Sequence, residues 1–206
     1  MSRVAAFRRS AEKGGPEYVV WQMTTAIELA DLDARSSLIQ ALTGLGGREA
    51  KEIFRDRNNT QLIQGKLPTS PKSILKTELT KIHAAGLIAR YLAFRALEPK
   101  GDVDPMGRGH VAAFIDTYRW YSQQFSTTPE KINIEQFDAL LKHFLLDKAA
   151  LRKCEACDSV VYCLDSQKNT CPCCRSLKAI GFSRTRRSER LAPLANPLTS
   201  GRRRTA

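Results

Sequence analysis

The chain has 206 residues, 33 of them Lys or Arg and 21 Asp or Glu, for a formal net charge of +12. A hydrophobic share of 42% supports a core and excludes a wholly disordered chain, while no apolar run approaches the length that crosses a bilayer. The cationic excess favours a polyanionic partner, by neutralising phosphates, over plain solubility.

The basic N-terminus, MSRVAAFRRSAEKGG, lacks the apolar stretch of a signal peptide. Residues 1–16 read as a flexible basic arm bounded by Gly14, Gly15 and Pro16. From Glu17 to residue 152 the pattern is that of a helical domain. A first helical recurrence places Ile27, Leu32, Leu38, Ile39 and Leu42 together and ends at Gly44. After GLGG comes REAKEIFRDR, where Ala50, Ile53 and Phe54 form an apolar stripe. Arg48, Lys51 and Arg55 follow at i, i+3 and i+7 on another face, with Arg57 beyond them. Helix, Gly-rich turn and basic second helix make a helix-turn-helix candidate near 34–57. A plain αα-hairpin with a solvated charged face has the same pattern.

GKLPTSPKS is a turn-rich connector in which Ser70 and Pro71 suit the N-cap and N1 of the next helix. That helix, near 71–98, carries Ile74, Leu75, Leu79, Ile82, Ile88, Tyr91, Leu92 and Phe94. It is apolar around much of its circumference, so it is expected to lie between neighbours or against a partner. EPKGDVDPMGRG breaks the chain before a helix near 109–126, in which Tyr118, Tyr121 and Phe125 read as core and Trp120 as exposed. The last helical pattern is NIEQFDALLKHFLLDKAAL, with Ile134, Phe137, Leu140, Leu141, Phe144 and Leu145 at helical spacing.

All six cysteines fall between residues 153 and 174. Cys154 with Cys157 and Cys171 with Cys174 are two C-x-x-C pairs separated by thirteen residues. Such pairs form knuckles whose thiolates converge on one ion, and two of them complete a tetrahedral zinc site. SVVYCL supplies a strand between them and DSQKNT a turn. CPCC could instead be a redox pair, but the strand–helix–strand context is missing. A disulfide framework would need an oxidising compartment, whereas this chain is expected in the cytoplasm, where thiols stay reduced. Cys163 reads as a small apolar filler and Cys173 as a competitor for the fourth ligand position. Four thiolates leave no open coordination site, so the expected zinc-ribbon-like module, 153–176, carries one structural Zn2+.

Residues 177–206 read as a basic, largely disordered tail. From residue 175 onward nine Lys or Arg oppose Glu189 alone, which is eight of the twelve net charges. The three histidines are scattered, and no metalloprotease, nucleophile-elbow, P-loop or dinucleotide motif is present. An enzyme is not expected.

In order and spacing the stretches REAKEIFRDR, GKLPTSP, DTYRWYSQQF, FDALLKHFLLDKAALRKCEACD and CPCC resemble the FlhC family, over roughly residues 24–176. That family is the DNA-binding subunit of the bacterial flagellar master transcription activator. The resemblance implies a mainly α protein with a four-cysteine zinc module and a small helical FlhD-like partner. It also implies activation of RNA polymerase at double-stranded promoter DNA of flagellar or conjugative-element operons. Zinc ligation then falls on Cys154, Cys157, Cys171 and Cys174, and the helix-turn-helix role on residues around Arg48 to Arg57. Taken with the charge pattern, the candidate DNA contacts are Arg48, Lys51, Arg55, Arg57, Arg175, Lys178, Arg184, Arg186 and Arg187. Two other readings are a zinc-stabilised protein-interaction scaffold with nonspecific nucleic-acid binding and a zinc-ribbon accessory domain of a nucleic-acid enzyme.

Overall fold

A computed structural model describes residues 3–58, 70–97, 107–128, 130–164, 171–179 and 191–193; for residues 3–14, 58, 177, 179 and 191–193 it describes the backbone alone. The described residues form eight helices and a three-stranded sheet. They fall into two compact units: 1–67 with 104–115, and 68–103 with 116–206. The four-cysteine segment falls within the second of these units.

The first unit holds α1 (Arg3–Asp31), α2 (Ser36–Thr43) and α3 (Gly47–Asn58), with the first eight residues of α6 (Arg108–Gln124). Residues 3–13, expected as a loose arm, are helical, and the expected boundary survives as a kink at Gly15, whose φ of 74° is open to glycine. A continuous helix to Gly44 was expected; the chain breaks instead after Asp31. Asp33 takes the left-handed conformation at φ 63°. Its N–H donates to Ala30 O at 3.0 Å and that of Ala34 to Leu29 O at 3.0 Å, the paired bonds of a Schellman C-cap.

Leu38, Ile39, Leu42, Ala50 and Phe54 are buried, and α2 and α3 each pack on α1 and on one another. Gly44 caps α2 at φ 72°. The buried Gln22 amide of α1 donates to the carbonyl of Thr43 at 2.8 Å, which ties α1 to the turn that launches α3. Glu49 accepts from the Gly46 N–H at 2.8 Å and so satisfies one of the orphan donors at the start of α3.

The second unit contains α4 (Pro71–Ile74), α5 (Glu78–Leu97), α6 from Asp116 onward, α7 (Ile134–Leu145), α8 (Pro172–Ala179) and strands β1 (Ala149–Cys154), β2 (Val160–Leu164) and β3 (Leu191–Pro193). The helix expected over 71–98 is two. Ser70 precedes Pro71 at the start of α4, but its side chain makes no capping bond. Thr77 and Thr80 then cap α5 reciprocally: the Thr80 N–H donates to Thr77 Oγ1 at 3.1 Å, and the Thr77 N–H to Thr80 Oγ1 at 3.2 Å. Within the unit α5 packs against β2, α8 and α7, as expected of a helix lying between neighbours, while Leu79 and Leu97 stay exposed.

Asn133 and Gln136 form a full capping box at the start of α7. That helix stops short of the expected residue 151 through a second Schellman cap, with Asp147 left-handed at φ 56° and the Lys148 N–H donating to His143 O at 3.0 Å. The next six residues are strand.

β1 is the central strand, antiparallel to β2 from Ala149↔Leu164 to Lys153↔Val160 and to β3 from Arg152↔Pro193 to Cys154↔Leu191. Within the expected disordered tail, then, α8 runs on to Ala179 and residues 191–193 add a strand. The Tyr162 hydroxyl of β2 donates to Leu140 O at 2.9 Å, tying the sheet to α7.

His83 is buried, and its Nδ1 stands 2.7 Å from the Tyr121 hydroxyl. That hydroxyl also accepts the Ile132 N–H at 3.0 Å, which fixes its position beside the imidazole. Burial holds the His83 pKa below its usual 6.5, against a smaller upward pull from Glu130. The folded state therefore binds fewer protons than the unfolded chain, and stability falls as pH drops through 6.5, levelling off below the folded-state pKa. Urea unfolding at pH 7.5 and 5.5 should show this loss in the native chain and a smaller one in His83→Gln.

Candidate functional site

Each C-x-x-C pair is placed by its own local structure. Cys154 ends β1, and the loop back to β2 is closed by the Cys154 N–H on Ser159 O at 2.9 Å and the Asp158 N–H on Cys154 O at 2.8 Å. Asp158 turns the chain at φ 59°. Cys171 immediately precedes Pro172, the first residue of α8, so its thiol sits at a cap position and accepts the Cys174 N–H. The positive end of the helix macrodipole favours a thiolate there.

These two knuckles bring the sulfurs of Cys154, Cys157, Cys171 and Cys174 within 4.8 Å of one another. Cys154 Sγ lies 3.7 Å from Cys174 Sγ, and Cys157 Sγ lies 3.6 Å from Cys171 Sγ. A tetrahedral ion bound to sulfur at about 2.3 Å requires edges of about 3.8 Å. The four thiols match that spacing and could hold a metal ion; at nearly twice the length of a sulfur–sulfur bond, they are not disulfides.

Cys154 and Cys171 are fully buried, Cys157 and Cys174 half-buried, so the cluster is enclosed on one side. Among themselves the thiols titrate unevenly. Burial pushes Cys171 and Cys174 well above the usual thiol range, and neighbouring thiols add to it. Burial also raises Cys157, but the Ser159 hydroxyl and N–H, with thiol donors from Cys174 and Cys171, outweigh it and draw the pKa down to about 7. Binding of a cation therefore has to displace protons, which couples affinity to pH.

Cys163 is buried in β2 and Cys173 half-buried on α8, each packed beside the four-thiol group. Ser159, which the spacing of cysteines does not reveal, stands 3.2 Å from the Cys157 thiol. Arg175, a candidate DNA contact by sequence, donates to Glu78 Oε1 at 2.7 Å and so moors α8, which carries Cys174, to the start of α5.

In the first unit, Arg48, Lys51, Arg55 and Arg57 are all exposed on α3. At about 100° per residue the first three fall within roughly 60° of one another, opposite buried Ala50, while Arg57 points elsewhere. Arg57 pairs with Asp31 at 2.8 Å and Arg48 with Glu52 at 3.1 Å. Lys51 and Arg55 make no ion pair with a described residue. Lys178 is exposed on α8; Arg184, Arg186 and Arg187 lie outside the described residues.

No protein-family model matches the chain, and no curated protein matches it. What the residues define directly is a mainly helical chain with a four-cysteine cluster able to hold a metal. No helix among the described residues is long and apolar enough to cross a membrane.

Proposed function

We propose that this chain is a DNA-binding transcriptional activator subunit of the FlhC type, without catalytic activity of its own. It works in the cytoplasm with an FlhD-like helical partner and RNA polymerase at flagellar or conjugative-element promoters. The reading rests most on the exposed stripe of Arg48, Lys51 and Arg55 on α3, the second helix of a helix–Gly turn–helix unit whose apolar side packs on α1. Such a helix enters the major groove, where an arginine paired in bidentate fashion to guanine discriminates bases. Arg175, Lys178 and the tail cations Arg184, Arg186 and Arg187 add phosphate contacts that carry affinity without sequence information.

In the same reading, the metal held by Cys154, Cys157, Cys171 and Cys174 is Zn2+, and the segment around it is a zinc-ribbon-like module. When bound, zinc supplies four bonds that cross-link the two knuckles and no open position for chemistry. Cys154 then fixes the end of the central strand and Cys174 the start of α8. The Ser159 hydroxyl and N–H ease the loss of the Cys157 proton, and Arg175 orients α8 from outside.

Selection of the zinc-loaded chain against a random duplex library, alone and with an FlhD-like subunit, tests the proposal. Enrichment of one defined motif supports it. Salt-dependent binding without enrichment in either arm favours instead a zinc-stabilised interaction scaffold that meets nucleic acid nonspecifically. A specific observation speaks for that second reading: Arg48, Arg57 and Arg175 are each engaged by an acidic side chain.

A further inference from the structure

Among the described residues, one face of the first unit is apolar and exposed. Val20 is 63% and Met23 41% exposed, and with half-buried Ile27 they recur at i, i+3 and i+7 along α1. Beside this ridge runs a cleft of about 380 Å³, whose lining includes Trp21, Thr24, Val111, Ala112, Ile115 and Glu28. Near the level of residues 18–21 the exposed Arg108 guanidinium rests on two stacked rings, 5.4 Å from Tyr18 and 5.5 Å from Trp21.

We propose that this face docks a second copy of the chain, α1 against α1, antiparallel about a two-fold axis near Thr24. A two-fold contact needs one surface that carries both a projection and its matching recess. On α1 the Val20–Met23–Ile27 ridge lies directly beside the cleft, so the ridge of each copy enters the cleft of the other. Thr24, small and exposed, lets the helices approach at the axis.

The charges select the direction. At 1.5 Å per residue Glu28 lies about 6 Å from the axis toward the C-terminus of α1, and Arg108 rests over residues a similar distance the other way. Antiparallel docking sets each Arg108 against Glu28 of the other copy. Parallel docking would set like against like. The net charge of +12 on each chain opposes association, and salt screens that long-range term within about 10 Å while it leaves the desolvated contact. The inference does not depend on the proposed DNA binding, because its test reads mass alone.

Sedimentation equilibrium of the full zinc-loaded chain at near-physiological salt, from micromolar to submillimolar concentration, should show mass rising from 23.0 kDa toward twice that value. Arg108→Glu and Glu28→Arg should each weaken association by about tenfold or more, and the double exchange should restore most of it. Val20→Glu, at a position exposed in the single chain, should abolish association without lowering the melting temperature measured at dilutions where the native chain is itself monomeric. A monomer at every concentration overturns the proposal. So does an association that ignores Val20→Glu, or one in which the two charge reversals are each harmful and not mutually compensating.

Discussion

Cys154→Ser should leave the protein unable to retain stoichiometric zinc, with the sheet and α8 of the second unit open to protease. The expected size of this loss follows from what the ion does there. β1, β2 and α8 meet at the four sulfurs through a small apolar group of Cys154, Val161, Cys163 and Cys171. α5 and α7 back the sheet and α8, but this small group adds little of its own around the sulfurs, whereas structural zinc in comparable knuckles contributes on the order of 10–16 kcal/mol at neutral pH. Metal analysis of the purified variant, with limited proteolysis of both proteins before and after a chelator, checks it. A variant that keeps one zinc per chain and its protease resistance would remove Cys154 from the ligand set.

Arg48→Ala combined with Arg55→Ala should relax sequence preference while leaving the melting temperature nearly unchanged. Both side chains are exposed, and the Arg48–Glu52 pair is a solvated i, i+4 contact worth at most about 0.5 kcal/mol. A lost bidentate contact to guanine, by contrast, costs about 1–3 kcal/mol of discrimination, roughly five- to 150-fold. Competition binding between the selected motif and an unrelated duplex of equal length reads this directly. If discrimination survives the double substitution, α3 is not the reading helix, and the recognition assigned to it lies in other basic residues.

The parts of the fold that sequence made legible are those with strong periodicity or fixed spacing. The α2–α3 pair shows in the Gly44–Gly47 turn and the apolar positions around it, and the four-cysteine cluster in two C-x-x-C pairs. Helix ends were harder. Asp33, Asp147 and Asp158 each turn the chain in the left-handed region, a conformation that aspartate tolerates but does not advertise as glycine would. FLLDKAAL therefore reads as one helix although Asp147 ends it, and the apolar residues beyond suit strand and helix equally. The α5 cap was hidden for a related reason, since Thr80 stands where a Glu or Gln would signal a capping box. Arg175 was legible as a cation but not as a mooring, because its partner Glu78 is 97 positions away.

The first unit takes its residues from 1–67 and again from 104–115, with Arg108 resting on Tyr18 and Trp21. On the ribosome, then, α1, α2 and α3 emerge and can pack on one another before the part of α6 assigned to their unit has been made. The side of α1 that Val111 and Ile115 border stays open to solvent until Ile115 has cleared the exit tunnel. A nascent chain stalled between those points would be the form most in need of a chaperone.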